Sequence, residues 1–86
     1  MSTALAPAVR TVDTETGTVL LHERTGRYWH LNATGAAVLR HLLDGATPKE
    51  AARRIADRHP DIPAEQADHD VAALIEKLHD ARLVTA

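Results

Sequence analysis

Six histidines, His22, His30, His41, His59, His69 and His79, are the residues of this chain best suited to hold a metal or move a proton. No two are three or four positions apart, whereas a helical zinc pair needs i, i+4 spacing to bring both ring nitrogens to one face. They read as scattered surface histidines, and no metal is expected. Ser2, Tyr28 and the threonines supply hydroxyls, but most of the threonines fall where turns and helix caps are expected, so no nucleophile–base–orienter set can be assembled. Cysteine is absent, which removes thiolate nucleophiles, disulfide staples and sulfur-ligated zinc and favours an intracellular setting. Neither GxGxxG nor GxxxxGK occurs, so no phosphate-cradling loop and no cofactor are expected. Nothing in these residue types supports an enzyme.

Recognition has better material. Tyr28 and Trp29 are the only aromatic residues, and they are adjacent in the segment RYWHL. Successive strand residues point to opposite faces, so Trp29 shares a face with Leu31, while Tyr28 shares the other with His30. Leu31, at the exit into a helix, belongs to the core side. Two readings follow: Trp29 fills a small core with Tyr28 covering the sheet, or the segment is an aromatic edge strand whose open ladder accepts a peptide as a further strand.

The surrounding elements are legible from turn and cap chemistry. MSTALAPA, residues 1–8, has no period and is expected as a flexible arm that orders at Val9, where a single domain over 9–86 begins. A short extended piece over Val9–Val12, a DTETG turn, a strand over Thr18–His22, an ERTG turn and a strand over Arg27–Leu31 follow. Asn32 is placed to cap a helix running to Asp44 with Ala36, Leu39, Leu42 and Leu43 on one face and Gly45 as its stop. Thr47-Pro48-Lys49-Glu50 is a capping box with proline at the first helical position, opening a second helix with Ala51, Ala52, Ile55 and Ala56 inward. Pro60 ends it. Pro63 opens a third helix, whose stripe of Ala67, Val71, Leu74, Ile75 and Leu78 ends near Ala81, after which Leu83 and Val84 return to the core. Strands segregated ahead of helices predict an α+β fold, a three-stranded antiparallel sheet followed by three helices, of winged helix-turn-helix-like form.

Size and charge narrow the functions. The 86 residues can bury only about 60 to 65% of their unfolded surface, one modest core without a deep catalytic cavity. Apolar runs are far shorter than the roughly 20 residues that cross a bilayer, and no signal-peptide core follows Met1, so a cytoplasmic chain without membrane contact is expected. The overall net charge is −2, yet residues 46–60 carry a net +2 and residues 61–80 a net −5. A helix-turn-helix reader of DNA needs a basic recognition helix, and here the third helix is acidic, so no nucleic-acid partner is expected.

At GRYWHLNATGAAVLRHLLDG, residues 26–45, the chain resembles the PqqD-like family, whose pattern is an aromatic pair, Leu-Asn, Thr-Gly, a leucine-rich helix and an Asp-Gly stop. The preceding TGTVLLHERTG and the later TPKEAARRIADRHP and DVAALIEKLHDARLV extend the resemblance over about residues 9–84. Ala81-Arg82 departs from it, since relatives often have glycine before the closing Leu-Val. RYWHLNATG and the small size look most like the discrete leader-recognition proteins of lasso-peptide biosynthesis. The resemblance implies a RiPP recognition element: a non-catalytic domain that takes the leader of a ribosomal precursor peptide as a strand antiparallel to its third strand, in a groove beside its third helix. Lasso leaders are expected to present a tyrosine, a proline and a following apolar residue as anchors. Carried over by position, the peptide-binding residues are Arg27, Tyr28, Trp29, His30 and Leu31 on the strand, and Ala67, Val71, Leu74 and Ile75 on the helix, with Asp68 and Asp70 at the rim. The implied partners are the precursor leader, a separate cysteine-protease leader peptidase and, further along, a macrocyclase. The alternatives are a PqqD-type carrier serving a radical modifying enzyme and a small winged-helix DNA-binding regulator.

Overall fold

A computed structural model describes residues 3–85 and contains β1 (Ala4–Leu5), β2 (Val9–Thr14), β3 (Gly17–His22), β4 (Tyr28–Asn32), α1 (Ala33–Leu43), α2 (Pro48–Arg58), α3 (Ala64–Asp80) and β5 (Val84–Thr85). Strands β2, β3 and β4 form an antiparallel sheet in that order, followed by the three helices, the α+β arrangement the sequence predicts. Gly17 makes the tight fit between β3 and β4 possible: a Cβ there would stand 1.8 Å from the backbone oxygen of Leu31. Only a residue without one lets the strands close.

The register pairs Leu20 with Trp29 and Thr18 with Leu31, so these four side chains share the inner face. Leu20 is fully buried, and Thr18, buried beside it, donates its hydroxyl to Asp13 Oδ1 at 3.0 Å. Tyr28 is 71% exposed on the outer face, as the alternation requires.

The helices form as their caps dictate. Asn32 accepts the amide of Gly35 at 2.8 Å, and Thr47 with Glu50 closes both halves of a capping box. On α1 the buried side chains are Ala36, Val38, Leu39 and Leu42; Leu43, expected on the inward face, is half-buried against the sheet-side apolar core, and Val38 is buried among the helices.

Two apolar clusters result. One joins α1, α2 and α3 through Val38, Leu42, Ala51, Ala52, Ile55, Ala67 and Val71; the other joins the sheet to α3 and the chain's end through Val9, Leu20, Leu39, Leu78, Leu83 and Val84. Leu74 of α3 packs against both.

The flexible arm expected over residues 1–8 is corrected in part. Leu5 pairs with Val84 and Ala4 with Thr85, the Ala6 amide donates to the Leu83 carbonyl at 3.0 Å, and Leu5 and Ala6 pack on the second cluster. Burial of Leu83 and Val84 supplies the apolar surface that holds the segment down. Met1 and Ser2 of the expected arm lie outside the described residues.

Candidate functional site

Strand β4 is the last strand of its sheet, so one of its edges is open. Hydrogen-bonded pairs alternate along an antiparallel ladder. Because the His22 amide donates to the Arg27 carbonyl at 2.9 Å, the bonded pairs of β3 and β4 are Leu20 with Trp29 and Thr18 with Leu31. The amides and carbonyls of Tyr28 and His30 therefore face away from β3, as an unfilled ladder.

Beside this edge lies a groove of about 530 Å³. Trp29 and Leu31 form one wall from the inner face of β4, Val71, Leu74 and Leu78 of α3 form the other, and Gly35 and Val38 of α1 with Leu83 close the bottom and ends. Asn32 and His30 stand at the strand side, Asp70 and Lys77 at the helix side. A second, more open cleft of about 420 Å³ continues past Trp29 and Lys77 to Arg27, Tyr28, Asp80 and Ala81. The strand and the helix run in opposite directions along the groove: Lys77 and Asp80, late in α3, stand beside the start of β4.

The sequence-assigned residues divide accordingly. Trp29, His30, Leu31, Asp70, Val71 and Leu74 meet in the groove, and Arg27 and Tyr28 line its continuation. Ala67 is buried in the helical cluster, and Ile75 is half-buried against it. Asp68 faces the other way, into a small cleft with Lys49, Ala52 and Arg53 of α2. Two helix residues apart is about 200° of rotation, so Asp68 and Asp70 cannot share a face. Asn32, Gly35, Val38, Lys77, Leu78 and Leu83 were missed. Lys77 and Leu78 were recoverable, since they follow Leu74 at i+3 and i+4. Val38, Gly35 and Leu83 reach the groove only through the docking of α1 and the return of the chain, which no local spacing encodes.

The chemistry available is recognition: a long apolar floor, an open main-chain ladder and two charged side chains at the rim. Among the described residues no group of three or more histidine, aspartate or glutamate side chains comes together as a metal site. No helix of the described residues is long and apolar enough to cross a membrane.

The family described as Coenzyme PQQ synthesis protein D (PqqD) matches residues 17–84. The solved structure of lasso peptide synthetase B1 complexed with the leader peptide is 31% identical, with the alignment covering 100% of this chain and 100% of that one at a TM-score of 0.91. TbiB1 in complex with the TbiA(beta) leader peptide is 24% identical over 95% of this chain and 94% of that one, with a TM-score of 0.85, a likeness of fold. No curated protein matches the sequence.

Proposed function

Because the chain belongs to the PqqD family, we propose that it is a leader-binding protein that takes the leader of a ribosomal precursor peptide, of the lasso class, along the open edge of β4. The observation that carries this reading is the coincidence of an unfilled ladder at Tyr28 and His30 with an apolar groove immediately beside it. Each main-chain bond of an added strand contributes about 0.5–1.5 kcal/mol net. Ordering a flexible leader costs roughly 2–5 kcal/mol, so the bonds alone are marginal and apolar side chains seated over Leu31, Val71 and Leu74 supply the rest.

The protein itself performs no chemistry. These 86 residues hold no cysteine, and on this reading the cysteine nucleophile of the leader peptidase belongs to a partner. Holding the leader raises the precursor's effective concentration at that peptidase, and a macrocyclase then acts on the released core. A carrier role for a radical enzyme is the second reading, supported by the PQQ-synthesis description of the matched family.

Fluorescence polarisation with a labelled leader from a neighbouring precursor gene tests the reading, beside a scrambled leader and a DNA duplex. Saturable binding of the native leader alone is expected. Salt-sensitive duplex binding without leader binding would overturn it. His30→Pro makes the test sharper, because the amide it removes faces the open edge and not β3: leader binding falls while the circular dichroism of the sheet and helices is retained.

A further inference from the structure

The two charged side chains on the α3 wall of the groove have opposite signs and stand at opposite ends. Lys77 lines both the groove and the cleft that opens toward Arg27, whereas Asp70, two turns earlier on an α3 that runs against β4, lines the groove alone, on the side of the Asn32 end of the strand. Seven helical residues separate them by about 10 Å along the axis, with Leu74 between. That distance is near the screening length at 0.1 M salt, so a ligand meets two separate charges and not one averaged field. Asp80 shares the Lys77 end, but Arg27 and Lys77 together outnumber it. The positive end of α1 adds about half a charge near Asp70, which reduces that carboxylate's field without cancelling it.

We propose that Asp70 and Lys77 read the order of charge along the leader, so that the preferred peptide carries a basic residue, then an apolar one, then an acidic one, at alternate positions from its N- to its C-terminal side. The inference rests on the leader-binding reading above. The sheet is antiparallel throughout, and antiparallel addition to β4 continues the stronger of the two pairing patterns. A strand running that way enters at Asn32, beside Asp70, and leaves at Tyr28, beside Lys77. Side chains of an extended strand face the groove at every second residue. Positions j, j+2 and j+4 therefore fall over Asp70, Leu74 and Lys77, the reach of the long charged side chains covering the small difference in pitch. Net charge cannot make this selection, because a basic–apolar–acidic peptide and its reverse have the same composition.

The test uses the full-length protein and the leader of the precursor encoded beside its gene, synthesised in two versions that differ only in exchanging lysine and glutamate at j and j+4. At low salt the basic-first version is expected to bind about three- to tenfold more tightly, the combined effect of two exposed ion pairs, and 0.5 M salt should erase the difference. The double variant Asp70→Lys, Lys77→Glu changes two exposed positions and should reverse the preference, with unchanged circular dichroism. Equal binding of the two versions, or a preference that the double variant leaves unreversed, overturns the charge-order inference while leader recognition stands. Failure of both versions to bind, at low and at high salt, overturns leader recognition and the inference with it.

Discussion

Leu74 carries the binding argument at the scale of single residues, because it lines the groove and touches both apolar clusters while remaining only half-buried. Leu74→Ala is expected to weaken leader affinity about tenfold or more in a polarisation titration while the chain stays folded. Val71 is a poorer probe. It is 2% exposed, so Val71→Asp buries a carboxylate without a partner and is expected to unfold the chain before any binding can be measured. Gly17→Ala is expected to be severe as well, about 2–4 kcal/mol in chemical denaturation, because the obstacle to its Cβ is the backbone of β4 and not a side chain that can swing away. Much of the site was readable one residue at a time: the alternation along RYWHL places Trp29 and Leu31 inward and Tyr28 outward, as found. Asp68 and Asp70 are near neighbours in sequence, but two helical positions turn them to different faces of α3, and only Asp70 lines the groove.

Element boundaries show how cap chemistry makes structure legible. Asn32, the Thr47–Glu50 box and Gly45 all act where their residue types predict. The end of α3 uses the same closing geometry as α1, with the Arg82 amide on the His79 carbonyl and the Leu83 amide on the Leu78 carbonyl, but the left-handed position is Arg82, at φ 59°, and not a glycine. The missing glycine noted in the sequence thus changes the cost of the turn and not its place. Arg82→Gly is expected to raise stability by up to about 1 kcal/mol in urea melts, relief of left-handed strain being partly offset by the freer unfolded chain. The α1–α2 junction sets the pH response. Partial burial, and then the guanidiniums of Arg54 and Arg58, hold His41 below the ordinary histidine value of 6.5; Arg40 acts in the same sense and Asp44 opposes them. Its neutral ring meets Arg54 at 3.2 Å. The unfolded chain therefore takes up that proton more readily than the folded one, and stability falls as pH drops below 6.5. Glu50, whose carboxyl is lowered by the Thr47 backbone and hydroxyl bonds, adds a second loss as pH drops below 4.5. Thermal melts from pH 8 to 3 should show a decline in two stages, and His41→Gln should remove the first.

At the scale of the whole molecule, the order of strands and helices was predictable because each element is announced by nearby residues. The β1–β5 ribbon was not, because two-residue strands some 80 positions apart leave no periodic trace and their pairing exists only once Leu83 and Val84 are buried. Deleting residues 1–6 is expected to lower Tm by about 4–8 °C, equivalent to about 1 kcal/mol in a domain of this size, by exposing Val84 and freeing the last strand. The ribbon also brings Ala4 opposite Thr85, about one strand spacing away. A few-residue linker could join the chain into a ring and new ends could be cut at the exposed Glu15–Thr16 turn, giving a circular permutant in which β4, α1 and α3 remain one uninterrupted stretch of sequence. Such a rearranged chain would let a peptidase be fused at the Asn32 end of β4, where Thr16 stands 3.3 Å from the His30 ring, without interrupting the elements that line the groove.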